Sequence, residues 1–182
     1  MIVVMSSSSP VASIAVYGRN GELKAVRRGE SRRQASALIC GWYDELVGAA
    51  IPDLFVADVG PGSFTGVRVA VVMAQSYAFV HHRNCAAISS FDLIANEGTR
   101  FVPAHGDFYW VRDGDGTPEK REGLPETGLG YGGGQTGYPD AGNAALLLGA
   151  LVEISPEKLL PVYLAEPHIT ISKRPLSGVG EG

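Results

Sequence analysis

The stretch Gly60-Pro61-Gly62-Ser63-Phe64-Thr65-Gly66-Val67-Arg68 decides how this chain is read. It follows an apolar run, Leu54 to Val59, and opens a long helix of small apolar residues. A strand that turns through glycines into a helix N-terminus gathers backbone N–H groups, and such a place binds anions. The loop has two readings. As a candidate anion loop it comprises Gly60, Gly62, Ser63, Thr65, Gly66 and Arg68, with Ser63 and Thr65 supplying hydroxyls and Arg68 a charge. As a tight turn, Gly60 and Gly62 relieve crowding and Ser63 caps the helix. The loop has neither the Lys-Ser/Thr ending of a P-loop nor the G-x-G-x-x-G spacing of a dinucleotide site, which favours the turn.

Downstream, the helix spans roughly Phe64 to His81. Between Val69 and Val80 only Gln75 and Ser76 are clearly polar. A helix apolar nearly all round is either deeply buried or shared between its own core and a partner. Upstream, Gln34 to Val47 is a helix with two apolar stripes. Ala35, Leu38, Ile39, Trp42 and Leu46 form one; Ala37, Cys40, Tyr43 and Val47 form the other. Before it, Ile2–Met5, Val11–Tyr17 and Leu23–Arg28 read as an antiparallel meander, joined by the polar turn Ser6 to Pro10 and the hairpin signal Asn20-Gly21. Leu54 to Val59 is continuous and apolar, as a central strand covered on both faces requires. Cys85–Ile88 reads as a strand and Phe91–Asn96 as a short helix.

Beyond residue 97 the periodicity weakens. Arg100–Pro103 and Asp107–Arg112 suggest a small hairpin. Gly114 to Gly142 is rich in Gly, Pro and Thr and reads as a long loop. Asn143–Val152 reads as a helix capped by Asn143, Leu159–Leu164 as a short strand, and Lys173–Gly182 as a tail. The expected fold is α/β: a mixed sheet with helices on both faces, one half of the actin-like, ribonuclease-H-like architecture. Residues 1–97 form the first lobe, and 98–182 a smaller second lobe with the Gly-rich loop at 114–142.

Composition narrows the function. Of 182 residues, 45% are hydrophobic, enough for a real core, and only 19% are charged. About 25% is usual, so part of the surface is expected to be covered by a partner. A net charge of −4 argues against direct nucleic-acid binding, which needs a basic footprint. The cluster Arg27, Arg28, Arg32 and Arg33 reads as a solvated turn. Cys40 and Cys85 have no paired spacing and read as reduced core residues of a cytoplasmic protein. No run reaches the length of a membrane helix, and the N-terminus lacks the basic region of a secretory signal. The adjacent pair His81-His82 points about 100° apart on a helix, so it reads as a helix end and not as a metal pair. No H-E-x-x-H and no Ser-His-Asp set appears, so no metal site and no protease are expected.

At the GPGSFTGVR run the chain resembles the TsaB (YeaZ) family, the non-catalytic partner subunit of the bacterial machinery that places threonylcarbamoyl on adenosine beside the anticodon of certain tRNAs. Further segments carry the resemblance. They are Ser13-Ile14-Ala15-Val16, the Ala104 to Trp110 segment with Asp107 and Tyr109-Trp110 in register, Gly137-Tyr138-Pro139-Asp140, Pro161-Val162-Tyr163-Leu164 and Ser172-Lys173-Arg174-Pro175. It is dense over residues 1 to 97 and sparse but ordered afterwards.

The resemblance implies two lobes of the actin-like ATPase superfamily. It implies a helical interface with TsaD, the catalytic subunit, which a homodimer would share, and a TsaE-type ATPase in the full complex. It implies contact with tRNA only through that complex, and a place for ATP or ADP only at an interface of the assembly. The interface expected here comprises Ala37, Cys40, Tyr43 and Val47 of the first helix with Ala70, Ala74 and Tyr77 of the second, the alanines permitting close approach.

The chain departs from the family at three points. Many relatives carry I-D-T where this chain has Met5-Ser6-Ser7, and a serine cannot replace a carboxylate in holding a divalent cation. The helix-opening histidine is replaced by Gln34 or Ala35. The second lobe is expected to be shortened. No catalytic residue is assigned, and the protein is expected not to be an enzyme in its own right. The alternative is a small actin-like nucleotide-binding enzyme, an ATPase or kinase, against which Ser6 argues.

Overall fold

The computed structural model describes residues 1–31 and 33–164. The first sheet has five strands in the order β3-β2-β1-β4-β5. They are β1 (Ile2–Ser6), β2 (Val11–Tyr17), β3 (Leu23–Glu30), β4 (Leu54–Asp58) and β5 (Asn84–Ile88). The first three form the expected antiparallel meander, while β4 lies parallel to β1 and β5 parallel to β4. Each parallel crossover carries a helix: α1 (Ala35–Leu46) on the way to β4, α2 (Phe64–His81) on the way to β5.

Period-two alternation sends β residues to opposite faces. Val3, Met5, Ile14, Phe55 and Ala57 meet α1 and α2 on one side. Val4, Ala15, Tyr17, Val56 and Ala86 face Leu93, Ala141, Ala144 and Leu148 on the other. Every residue of β4 is buried, as its unbroken apolar sequence demands. On α1 the core face is Ala35, Ile39, Tyr43 and Val47, which cuts across the two stripes read from the sequence.

The second sheet, in the order β10-β9-β6-β7-β8, follows α3 (Ser90–Ile94). Its strands are β6 (Thr99–Pro103), β7 (Phe108–Asp113), β8 (Glu119–Glu122), β9 (Leu129–Gly132) and β10 (Gln135–Thr136). The β6–β7 hairpin is as expected. Three other expectations fail. The segment read as a loop, 114–142, contains β8, β9 and β10. The helix expected over Asn143–Val152 is replaced by single 3-10 turns at Ala141–Asn143 and Leu148–Ala150, the first capped by Asp140 and not by Asn143. Tyr17 Oη donates to the Ala141 carbonyl at 2.7 Å and accepts from Ala144 N at 3.1 Å, while Ser13 Oγ accepts from Ala141 N. Those bonds hold backbone groups near the helix start to the first sheet. Finally, Leu159–Leu164 is not a strand. Val162 N bonds to Val59 O, Leu159 N closes a local turn on Pro156 O, and Pro161 has no N–H to offer, so no ladder forms among the described residues. The expected tail at Lys173–Gly182, and Arg32, lie outside the described residues.

Residues 141–159 return to the first sheet, so its two faces are completed by chain that follows the second. Asp140 anchors the return: it pairs with Arg28 of β3 and accepts from Gly142 N at 2.8 Å.

Candidate functional site

The glycine run sits where β1, β4 and α2 converge. Ser63 caps α2, its Oγ accepting from Gly66 N at 3.2 Å. The serine turn between β1 and β2 lies directly on this loop. Ser8 O accepts from Ser63 N at 2.6 Å, and Ser7 Oγ donates to Gly66 O at 2.7 Å. A methyl group at Gly62 would stand 2.3 Å from the Ser8 carbonyl oxygen, and one at Gly66 1.8 Å from that of Ser7. Gly60 has φ +99, which an L side chain rarely adopts. The N–H groups of Gly60, Ser63 and Gly66 are therefore engaged within the chain, and the geometry is that of a tight strand-to-helix turn. Thr65 and Arg68 are exposed on the first turns of α2.

Beneath the turn lies a carboxylate that the sequence reading did not single out. Asp58, the last residue of β4, is fully buried. Ser6 and Ser8 donate to its Oδ2 at 2.6 and 2.5 Å, Ser90 to its Oδ1 at 2.5 Å, and Gly60 N to Oδ1 at 2.9 Å. Burial pushes its carboxyl above the usual range, against these four donors, which favour the charged form. The sequence signal was present: a carboxylate ending an apolar strand, and a run of four serines, Ser6 to Ser9, all of them buried. Such a run reads as a polar turn until the donors are matched to one acceptor. The arrangement ties β1, β4, α3 and the glycine loop together. With both oxygens occupied by chain donors, Asp58 offers no open position to a cation. Among the described residues no group of three metal-ligating side chains occurs.

The α2 helix has two faces. Gly66, Val67, Ala70, Val71, Ala74 and Ala78 pack inward. Ala70 and Ala74, expected at a partner interface, have no exposed surface; their smallness lets α2 approach its own sheet. Outward stand Val72, Phe79 and Val80, at 54%, 75% and 69% exposure. Tyr43 and Tyr77 stack at 3.8 Å between ring centroids and join α1 to α2, while Tyr43 Oη contacts His81 Nε2 at 3.3 Å. Tyr43 and Val47 are buried, Cys40 and Tyr77 half-buried, and only Ala37 of the predicted interface set is exposed. Among the described residues, no helix is long and apolar enough to cross a membrane.

The family described as TsaD: tRNA N6-adenosine threonylcarbamoyltransferase matches residues 47–108, from the end of α1 through the glycine turn, α2 and α3 to the start of β7. No curated protein matches the chain in sequence. Two solved structures share its architecture. YeaZ from Pseudomonas aeruginosa superposes with a TM-score of 0.68 at 21% identity, over 90% of this chain and 99% of that one. A second structure, described as an uncharacterized protein with similarity to peptidase YEAZ from Pseudomonas aeruginosa, gives a TM-score of 0.68 at 19% identity with the same coverage. The chain has the fold of YeaZ.

Proposed function

We propose that this chain is a TsaB-type scaffold with an actin-like fold, which binds a TsaD-type catalytic subunit and activates it for threonylcarbamoyl transfer to tRNA adenosine. The observation that carries this reading is the outward face of α2. Val72, Phe79 and Val80 stand exposed on one long helix, and none of the described residues covers them. Large apolar side chains grouped on one exposed face mark an interaction surface. The likeness to YeaZ in fold, and the match to the TsaD family over the segment that contains α2, support the identity of the partner. Two chains that share this module can pack like faces together, so the same face serves a homodimer when the partner is absent. The TsaE-type ATPase and tRNA join through the assembled complex, and no residue of this chain acts on the substrate.

The geometry around Asp58 weighs against the alternative of an ATPase or kinase. Its carboxylate, bonded to Ser6 at the end of β1, is enclosed by serines. Mixing the purified chain with its cognate TsaD-type subunit at micromolar concentration tests the proposal. Co-elution on gel filtration is expected, and separate elution contradicts it.

A further inference from the structure

Between the two sheets lies an open cleft of about 590 Å³. Its walls include Phe64 and Val67 of α2, Pro103, Trp110 and Tyr131 of the second sheet, and Tyr163. Apolar and aromatic walls with a few placed polar groups are the usual form of a small-molecule site, and this volume falls within the usual range. Among the described residues no Asp or Glu lines it.

Two cations stand on aromatic rings at the edge of the cleft: Lys120 lines it, while Arg68 lies outside the lining and packs on Phe64, which belongs to it. The Arg68 guanidinium lies 3.9 Å from the centroid of Phe64, and its Nε donates to Tyr163 Oη at 3.0 Å. Lys120 lines the cleft, its Nζ 4.4 Å from the centroid of Phe108. Five other arginines pair with carboxylates: Arg19 with Asp53, Arg27 with Glu45, Arg28 with Asp140, Arg112 with Asp92 and Arg121 with Asp113. Arg68 and Lys120 have no carboxylate partner among the described residues. A ring face orients a cation without neutralising it. The positive end of the α2 dipole, at Ser63 and Phe64, adds the same sign.

We propose that this cleft binds a small planar aromatic anion, its ring against Trp110 and Phe64 and its charged group drawn by Arg68 and Lys120. Arg68 stands one helical turn before Val72, so the rim of the cleft adjoins the outward face of α2, and binding by the chain alone does not depend on the identity of the partner subunit.

The test titrates 2-naphthoate and 2-naphthyl phosphate, with neutral 2-naphthol as control, into the ¹⁵N-labelled full chain. The indole N–H of Trp110 reports on the cleft, and that of Trp42 on α1 serves as internal reference. Saturable movement of the Trp110 signal by either anion is expected at millimolar concentration or below, with 2-naphthol at least about tenfold weaker. A preference between the two anions identifies the ligand as a phosphate or a carboxylate. Replacing both cations, Arg68→Gln with Lys120→Gln, is expected to weaken the anions at least about tenfold and to leave 2-naphthol unchanged. No saturable movement, equal movement of both indoles, equal affinity for the neutral compound, or undiminished binding by the double variant would each overturn the proposal.

Discussion

Replacing Gly66 by alanine separates the two readings of the glycine run. Gly66 lies in the first turn of α2, where alanine is intrinsically favoured over glycine by about 1 kcal/mol. The new methyl group would stand 1.8 Å from the Ser7 carbonyl oxygen and 2.9 Å from its carbon, both backbone atoms that cannot rotate away. The β1–β2 turn must therefore lift off the helix. That lift breaks the bond from Ser7 Oγ to Gly66 O and the one from Ser63 N to Ser8 O. Two hydrogen bonds at about 1 kcal/mol each, with about 1–3 kcal/mol of overpacking, outweigh the helical gain and leave a net loss of about 2–4 kcal/mol. Gly41, exposed in the middle of α1 with nothing within 4 Å of an added Cβ, supplies the opposite case. Gly41→Ala is expected to stabilise by about 0.5–1 kcal/mol. Urea unfolding followed by circular dichroism measures both. If Gly66→Ala proves as stable as the parent, the loop is not held by close backbone approach and the reasoning fails.

Three further outcomes follow from the buried groups. Asp58→Asn removes the acceptor shared by three hydroxyls and is expected to cost about 1–3 kcal/mol. Because burial raises the folded-state pKa of Asp58, its contribution is greatest below the unfolded value and falls as pH rises through the folded one. The deficit of the Asn variant should therefore narrow as pH rises from the acid side, and a gap that widens over that range in urea titrations would contradict this. Burial pushes the Cys85 thiol up to about 11, so at mildly alkaline pH a thiol reagent should modify half-buried Cys40 alone in the folded chain and both cysteines after denaturation. Ala74→Arg places a charge in a site with no exposed surface and should unfold the chain, seen as loss of helical circular dichroism, where a partner-facing residue would leave the fold intact.

The first sheet was legible because β1, β2 and β4 are apolar runs bounded by turn signals, because Asn20-Gly21 marks the hairpin that leads into the more polar β3, and because α1 and α2 carry helical periodicity. Period alone could not tell which side of α2 faces inward, since nearly every position is apolar; Ala70 and Ala74 were assigned to a partner for their size, and size served the sheet instead. The second lobe was poorly legible for a different reason. The β8 sequence, Glu119-Lys120-Arg121-Glu122, is charged and exposed throughout, and it is a strand only because its backbone pairs with β7. The β9 strand carries glycines, and β10 is two residues long. The apolar segment after Asn143 has the composition of a helix, but bonds to Tyr17 and Ser13, distant in sequence, hold its start in another shape. Asp58 was hidden because its role depends on serines some 30 and 50 residues away.

If the outward face of α2 recruits a catalytic partner, charges placed on that face should keep the two chains apart. Val72→Asp with Phe79→Asp puts charges on that face without touching the core, since both side chains are mostly exposed. Gel filtration of this double variant with the cognate TsaD-type subunit, beside circular dichroism of the free chain, is the most direct measurement. A folded variant that elutes apart from the subunit, while the parent co-elutes, is the expected result. A folded variant that co-elutes as fully as the parent would contradict it.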